Sequence, residues 1–264
     1  MAEYTLGSVK TKEFDMKYLS FGRGKRQLVI LPGMSLRSVM LSAEAVVAGY
    51  DLLADEFRIT LFDREKPLGK GVTVSDMAHH TLTAIDSLGI DRFSLFGVSQ
   101  GGMMAMVIAS EAPEKVEKLV LGSTEPRLNP VSRKTFSLWE ELGEKGDIPA
   151  LNRSVFEHVY SEEYRNAFRE TFAALEKEGT AEEAANFALL ARACLTFDVG
   201  DALSRITCPT LVIGSHADNT FSGIGSVEIA SRLGCRLMMY EGYSHAVYDE
   251  APDYRARLLS FLTE

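Results

Sequence analysis

One serine stands between two glycines in a setting that favours nucleophilic chemistry. The segment Gly97 to Gly101, GVSQG, closes the apolar run Phe93 to Val98, and Met103 to Ala112 is rich in good helix formers. A strand, G-x-S-x-G and a helix without a spacer predict a nucleophile elbow, in which the serine sits on a strained turn. Side chains at the two glycines would collide with the neighbouring strand and helix. The sequence therefore predicts a nucleophilic Ser99 at the carboxyl end of a buried strand.

A serine hydroxyl needs a general base that titrates near neutrality, because its own pKa is too high for attack, and histidine is the natural choice. His79 and His80 fall on a predicted helix remote from the elbow, so we interpret them as surface or satisfied side chains rather than metal ligands. His245 alone combines a loop after a late strand with a following helix that returns the chain to the body. We predict that His245 is the base.

Two backbone N–H groups are candidates for binding a developing oxyanion. Gln100 follows the serine directly and would begin the elbow helix. The strand Gln27 to Leu31 enters Pro32-Gly33-Met34, and a loop of this kind can turn the Met34 N–H toward the nucleophile. The alternative interpretation is that Pro32-Gly33 merely makes a turn. We predict that Met34 and Gln100 form the oxyanion hole.

The surrounding segments predict the elements that position these residues. Tyr4 to Val9 and Glu13 to Ser20 alternate polar and apolar residues, which indicates an antiparallel hairpin at a sheet edge. Further strands are predicted at Gln27 to Leu31, Phe57 to Phe62, Phe93 to Val98, Val116 to Leu121, Thr210 to Gly214 and Arg236 to Tyr240. Helices are predicted at Ser38 to Leu53, Val74 to Leu88, Met103 to Ala112 and Gly225 to Leu233, with a terminal helix that ends at Phe261.

From about Pro126 to Asp201 the residue pattern changes. Apolar residues recur at helical spacing throughout, Glu, Lys and Ala are frequent, and no strand pattern interrupts the segment. Its aromatic residues at helical spacing are Phe136, Trp139, Phe156, Tyr160, Phe168, Phe172 and Phe187. An insertion between two strands of a parallel sheet would lie over the carboxyl end of the sheet, where Ser99 is predicted. We expect most of these aromatics to form the insertion's own core and a minority, with Phe136 and Trp139 as candidates, to line a pocket.

Four segments together resemble the α/β-hydrolase superfamily over nearly the whole chain. They are LPG at Leu31 to Gly33, GVSQGG at Gly97 to Gly102, GSHAD at Gly214 to Asp218 and GYSHAVYDEAP at Gly242 to Pro252. The resemblance implies the α/β-hydrolase fold: a mostly parallel eight-stranded sheet with helices on both faces and a helical cap inserted between strands six and seven. It also implies a core domain of residues 1–125 and 202–264, a cap of residues 126–201, and a triad of Ser99, Asp218 and His245. The loop Asp63 to Gly71 departs from the superfamily pattern, matching its D-x-R-G-x-G-x-S segment only loosely.

The acid of the triad has two candidates, Asp218 and Glu125, since both lie just past the carboxyl end of a predicted strand. Some superfamily members place the acid at the earlier site. Asp218 resembles the usual position after strand seven, lies one strand before His245, and has a short side chain that suits a fixed loop. We predict that Asp218 holds His245 and that Glu125 does not.

Composition and charge narrow the class of protein. The 264 residues are 46% hydrophobic and 25% charged, which is ordinary for a soluble globular enzyme. A net charge of -9 argues against nucleic acid or an anionic membrane as a partner. The amino terminus lacks an apolar segment of signal-peptide length, and Cys194, Cys208 and Cys235 form no C-x-x-C motif, which favours reduced thiols in a cytoplasmic protein. We expect a small-molecule substrate, no metal and no cofactor.

These residues favour a serine hydrolase that cleaves a small carboxylic ester or lactone through an acyl-enzyme. The same triad could instead cleave a carbon–carbon bond in a diketone, or perform cofactor-free perhydrolysis with an organic acid. A third hypothesis is a small-molecule receptor that retains the triad and signals through its cap. All three hypotheses use the same triad. The fold and these residues therefore do not distinguish between them, because a fold does not determine the substrate.

Overall fold

An eight-stranded sheet forms the centre of the protein, which a computed structural model describes over residues 3–264. The strands are β1 (Tyr4–Lys10), β2 (Asp15–Phe21), β3 (Arg26–Leu31), β4 (Phe57–Phe62), β5 (Phe93–Val98), β6 (Val116–Gly122), β7 (Thr210–Ser215) and β8 (Arg236–Tyr240). They are ordered β1-β2-β4-β3-β5-β6-β7-β8. β2 pairs antiparallel with β1 and β4, and all the other neighbours are parallel. The predicted mostly parallel sheet with a hairpin at its edge is confirmed.

Helices between the strands and after β8 cover both faces of this sheet, as predicted. They are α1 (Ala43–Gly49), α2 (Val74–Ser87), α3 (Gln100–Glu111), α9 (Ile224–Leu233), α10 (Val247–Glu250) and α11 (Tyr254–Thr263). Alternation along β3 shows the two layers, because Val29 and Leu31 join the buried cluster of α2, α3 and α9. Leu28 and Ile30 join the cluster of α1, α10 and α11 on the opposite face. A period of two along a buried strand thus divides the core into two apolar layers.

Five further helices lie in the chain between β6 and β7. They are α4 (Pro130–Lys145), α5 (Ile148–Val159), α6 (Glu162–Ala167), α7 (Arg169–Leu175) and α8 (Ala181–Leu195). The helical character of the insertion is as predicted, but capping residues divide it: the Asp147 side chain accepts a hydrogen bond from the first turn of α5, and Thr180 and Glu183 form a capping box on α8. The division into a core of residues 1–125 and 202–264 and a cap of residues 126–201 stays a prediction.

The predicted helical segment Ser38 to Leu53 is helical but divided. The structure has a 3-10 turn at Val39–Ser42, then α1, then a second 3-10 turn at Asp51–Leu53. The break follows α1 at Tyr50, whose φ of -107° and ψ of 12° leave the helical region. The Tyr50 ring is buried, edge-on to Phe96 at 6.4 Å between centroids. Tertiary packing of this ring therefore overrides the helical pattern.

Residues 3–264 contain no helix that is both long enough and apolar enough to span a bilayer.

Candidate active site

Ser99 occupies a sharp turn between β5 and α3. Its φ of 55° and ψ of -124° are unusual for a residue with a side chain. A Cβ on Gly97 would lie 2.4 Å from the Gly101 carbonyl oxygen, and one on Gly101 would lie 2.1 Å from the Leu31 carbonyl oxygen. The collisions predicted for side chains at these two glycines are confirmed. The turn exists because the chain has no side chain at either point of closest approach.

Hydrogen bonds from the end of β6 hold the backbone of this turn. The Ser99 N–H donates to the Gly122 carbonyl at 2.9 Å. The Thr124 hydroxyl donates to the Ser99 carbonyl at 2.8 Å, and the Ser123 hydroxyl donates to the His245 carbonyl at the same distance. Sequence reasoning did not single out Ser123 and Thr124. Their signal was two hydroxyl residues at the carboxyl end of the strand that neighbours β5.

The His245 and Asp218 side chains form a buried pair. His245 Nδ1 lies 2.9 Å from Asp218 Oδ2, and both side chains are at most 3% exposed. The other carboxylate oxygen, Oδ1, accepts hydrogen bonds from the Thr220 and Phe221 N–H groups at 2.7 and 2.8 Å. The backbone loop therefore fixes the carboxylate, and the carboxylate fixes the imidazole. With Nδ1–H directed at Asp218, Nε2 is left as the nitrogen that can accept a proton.

Phe136 and Phe221 pack behind the imidazole. The Phe221 ring lies edge-on to the His245 ring with centroids 5.1 Å apart, and Phe136 stacks on Phe221 at 5.5 Å. Both phenylalanines are almost fully buried. Phe136 is therefore not a cavity-lining residue but part of the packing that supports the histidine loop, whereas the other candidate, Trp139, does line the cavity.

A cavity of about 350 Å³ borders Ser99. Met34, Ser99 and His245 line one side, so the elbow, the loop after β3 and the histidine loop meet there. The insertion lines the other side with Trp139, Val155, Phe156, Val159, Leu175 and Phe187. The described residues form no hydrogen bond between Ser99 Oγ and His245 Nε2, so the two groups share the cavity without being joined. A largely apolar wall facing a few polar groups is typical of a small-molecule site.

Polar contacts of Asn152 and Glu178 join parts of the insertion wall to one another and to the loop after β3. The buried Asn152 amide on α5 donates to the Leu175, Glu176 and Glu178 carbonyls at 3.1, 3.1 and 2.9 Å. At the cavity rim, Arg37 Nη1 lies 3.1 Å from Glu178 Oε2, which joins the loop after β3 to the insertion. Both rim side chains are more than a third exposed, so this ion pair contributes little free energy and the buried amide contributes more.

Met34 and Gln100, the predicted oxyanion-hole donors, belong to the loop after β3 and to the start of α3. Gln100 is the first residue of α3, so its N–H has no acceptor within the helix. Neither N–H is a donor in the hydrogen bonds of residues 3–264. Gly33, which precedes Met34, lies over the serine, since a Cβ placed on it would be 3.2 Å from Ser99 Cβ.

Glu125 is buried close to the Asp218 loop but has other partners. Its carboxylate accepts hydrogen bonds from the Asn129 N–H at 3.1 Å, from the Asn129 side-chain amide at 2.8 Å, and from the Ser132 hydroxyl. Burial raises the pKa of Glu125 to about 7, and these hydrogen bonds oppose the shift. The imidazole of His245 is bonded to Asp218 and not to Glu125.

In the part of the chain that the structure describes, no group of three or more His, Cys, Asp or Glu side chains is arranged to hold a metal ion. The three cysteines are free thiols, and Cys194 is buried.

Comparison with known proteins places this architecture in a family. Residues 28–252 match the family described as the alpha/beta hydrolase fold. A relative from Rhizobium rhizogenes, RutD, whose assigned name proposes carbamate hydrolysis, is 30% identical over 222 residues, covering 80% of this chain and 85% of the relative.

Solved structures with the same fold include an alpha/beta hydrolase from a Medee basin deep-sea metagenome library, with a TM-score of 0.86 and 20% identity over 98% of each chain. The enol-lactonase of Burkholderia xenovorans has a TM-score of 0.86 and 19% identity, covering 98% of this chain and 100% of the lactonase.

The elbow generates a prediction about stability. Gly101→Ala would place a methyl group against the Leu31 carbonyl, so we expect it to lower the free energy of unfolding by about 1–3 kcal/mol or more. Gly71→Ala is the matched control, because a Cβ there meets no atom within 4 Å. Urea unfolding of both variants measures the difference. Equal stabilities would contradict the close approach of α3 and β3.

The buried Glu125 generates a prediction about pH. Its folded pKa of about 7 lies above the unfolded value, so its contribution to stability is complete below the unfolded pKa and is lost as the pH rises through about 7. We expect the wild type to lose about 1–3 kcal/mol of unfolding free energy relative to Glu125→Gln between about pH 5 and about pH 8. Urea unfolding of both proteins at the two pH values tests this. A constant difference would show that the carboxyl titrates normally.

Proposed function

We propose that this chain, which belongs to the alpha/beta hydrolase fold family, is a serine hydrolase that cleaves a small carboxylic ester or lactone. One observation carries the proposal: a strained Ser99 opens on the same cavity as a histidine whose Nδ1 is bonded to a buried carboxylate. Nucleophile, base and orienting acid are the three parts that acyl transfer through a serine requires.

In the proposed reaction, Ser99 Oγ attacks the substrate carbonyl carbon as His245 Nε2 takes its proton. The carbonyl oxygen becomes an oxyanion, which the Met34 and Gln100 N–H groups bind. The imidazolium, stabilised by Asp218, returns the proton to the leaving alcohol as the carbon–oxygen bond breaks and the acyl-enzyme forms. Water, deprotonated by His245, then attacks the acyl group, and collapse of the second intermediate releases the carboxylic acid and restores the serine. In a lactone, the leaving alcohol stays attached to the acyl group.

The cavity supports a small acyl compound. Its volume of about 350 Å³ is near the lower end of the range for small-molecule sites. The insertion wall is mainly aliphatic and aromatic, so burial of an apolar acyl or alcohol group would provide the binding energy. The likeness to an enol-lactonase in fold is consistent with this substrate class.

Carbamate hydrolysis is a second candidate, because the relative RutD carries that activity in its name and is 30% identical to this chain. A carbamate carbonyl could be attacked by the same Ser99. An uncharged carbamate would fit the apolar wall better than a free carbamate anion, since burying an unpaired charge is costly.

We further propose that residues 126–201 act as a cap that forms the cavity wall, and that the enzyme is cytoplasmic. Phe156 and Phe187, both from the insertion, line the cavity together with Ser99, which supports the first proposal. Three free thiols support a reducing compartment.

The proposed triad predicts a hierarchy of losses in kcat on an activated ester. Ser99→Ala removes the nucleophile, so we expect turnover to fall to about one part in 10³ or less. Asp218→Asn favours the wrong imidazole tautomer, so we expect kcat to fall by about 10³–10⁴.

Glu125→Gln is the control for this series, because Glu125 is also a buried carboxyl close to the histidine loop. We expect it to reduce kcat by less than about tenfold. Circular dichroism verifies that each variant is folded. Ser99→Ala with a tenth of the parental turnover would refute the nucleophile, and a larger loss for Glu125→Gln than for Asp218→Asn would move the acid to Glu125.

The cavity wall predicts which positions determine the ranking of substrates. Phe156→Ala enlarges the cavity, so we expect it to change the relative kcat/KM of short and long acyl esters by about 10- to 200-fold, or about 1–3 kcal/mol. Phe168→Ala is the matched control, since Phe168 belongs to the same insertion, is 47% exposed and does not line the cavity. An unchanged ranking for both variants would count against the insertion as the specificity wall.

A further inference from the structure

Arg64, in the loop after β4, contacts both segments that carry the proposed oxyanion donors. Its Nη2 donates to the Pro32 carbonyl at 2.7 Å and to the Gly33 carbonyl at 3.4 Å. Its Nε donates to the Gln100 side-chain oxygen at 2.9 Å. One guanidinium therefore joins the loop after β3 to the first residue of α3. This is the loop whose sequence departs from the superfamily pattern.

The contact on the Gly33 carbonyl bears directly on where the Met34 N–H points. In a trans peptide the C=O and N–H groups of one unit point in opposite directions, and the Gly33 carbonyl and the Met34 N–H belong to one unit. A donor on the carbonyl side therefore turns the N–H away from Arg64. The shorter contact, on the Pro32 carbonyl, holds the preceding peptide unit, whose N–H belongs to Gly33, and so fixes the start of the loop. The Gly33 contact acts on the Met34 unit itself, at 3.4 Å.

Without such a restraint this peptide would be free to rotate. Gly33 has no Cβ, so it can reach backbone conformations that other residues avoid. Rotation of the unit between Gly33 and Met34 would replace a donor near Ser99 by a carbonyl oxygen, which repels a developing negative charge. Since a Cβ on Gly33 would lie only 3.2 Å from Ser99 Cβ, the unit is close enough for its orientation to matter.

The Gln100 side chain extends the same network into the insertion. Its amide nitrogen donates to the Leu190 carbonyl at 3.0 Å and to Cys194 Sγ at 3.2 Å, both on α8. Cys194 Sγ in turn lies 3.8 Å from Met34 Sδ. Burial raises the pKa of the Cys194 thiol to about 12, so this sulfur is a neutral thiol. Gln100 is thus held between Arg64 and α8.

The charge of Arg64 is retained in this position. Burial lowers the pKa of its guanidinium, and the neighbouring Asp63 and Glu65 carboxylates raise it. An arginine stays protonated through shifts of ordinary size. A cation fixed beneath the two peptide groups also adds a favourable field at a developing oxyanion.

We propose that Arg64 is a positioning residue, which orients the Met34 N–H and anchors Gln100 so that the oxyanion hole is formed before substrate binds. This proposal rests on the proposed serine-hydrolase function. It assigns Arg64 no contact with substrate. Its effect should therefore fall on the transition state rather than on ground-state binding.

The test uses the full-length enzyme, one activated ester and a trifluoromethyl ketone whose adduct with Ser99 carries an oxyanion. Arg64→Met should lower kcat by about 10²-fold, the scale of one lost oxyanion donor, with KM changed by less than about threefold. The inhibition constant of the ketone should rise by the same factor by which kcat/KM falls. Arg64→Lys keeps one donor for the Pro32 carbonyl, so its kcat should be about tenfold higher than that of Arg64→Met.

Arg205→Met is the matched control, because Arg205 Nε donates to the Ser110 carbonyl at the opposite end of α3, at 3.3 Å. It should keep kcat within about threefold of the parent. If Ser99→Ala retains turnover, the proposed function itself fails. If Ser99→Ala is inactive while Arg64→Met keeps its kcat or its affinity for the ketone, the function stands and the role of Arg64 is overturned.

Should Arg64→Met fail to fold by circular dichroism, Arg64→Lys decides alone. We expect kcat lowered by about tenfold at unchanged KM, and a kcat within about threefold of the parent would overturn the proposal.

Discussion

The close approach of α3 to the end of β3 is the constraint on which the rest of the site depends. It is possible only because Gly101 presents no Cβ to the Leu31 carbonyl, at a point where one would lie 2.1 Å away. This contact brings the start of α3 beside the loop that begins at Pro32. Ser99, the Gln100 N–H and the Met34 N–H are neighbours as a result, and the backbone strain at Ser99 is the local cost of that arrangement.

Two buried carboxyl groups near one another, those of Asp218 and Glu125, have different hydrogen-bond partners. Asp218 accepts hydrogen bonds from two backbone N–H groups and faces an imidazole. Glu125 accepts hydrogen bonds from the Asn129 N–H and from the Asn129 and Ser132 side chains, and burial raises its pKa to about 7. Asn129 links the two sites, since its amide donates to Glu125 and also to the Phe221 carbonyl in the Asp218 loop.

The insertion and the sheet are coupled through polar contacts at the site, not only through apolar packing. Gln100 on α3 donates to two residues of α8, and the Thr220 and Ser244 hydroxyls both donate to the His158 carbonyl on α5, at 3.1 Å. The loops that carry Asp218 and His245 are thus bonded to the wall of the cavity.

The sequence by itself predicted the order of the strands and the turn at Ser99, because these depend on short patterns, whereas the prediction that Asp218 and not Glu125 pairs with His245 came from the resemblance to the alpha/beta hydrolases. An apolar run, two glycines around a serine and a loop after each late strand are visible without knowledge of contacts. It did not reveal the break of the helix at Tyr50, the packing of Phe136 behind Phe221, or the contacts of Arg64, although all three residues lie in segments described from the sequence. Each of these depends on a partner distant in sequence: Phe96 for Tyr50, Phe221 for Phe136, and Pro32 and Gln100 for Arg64. Burial and hydrogen-bond geometry between distant segments exist only once the sheet has formed, so only the tertiary structure decided them.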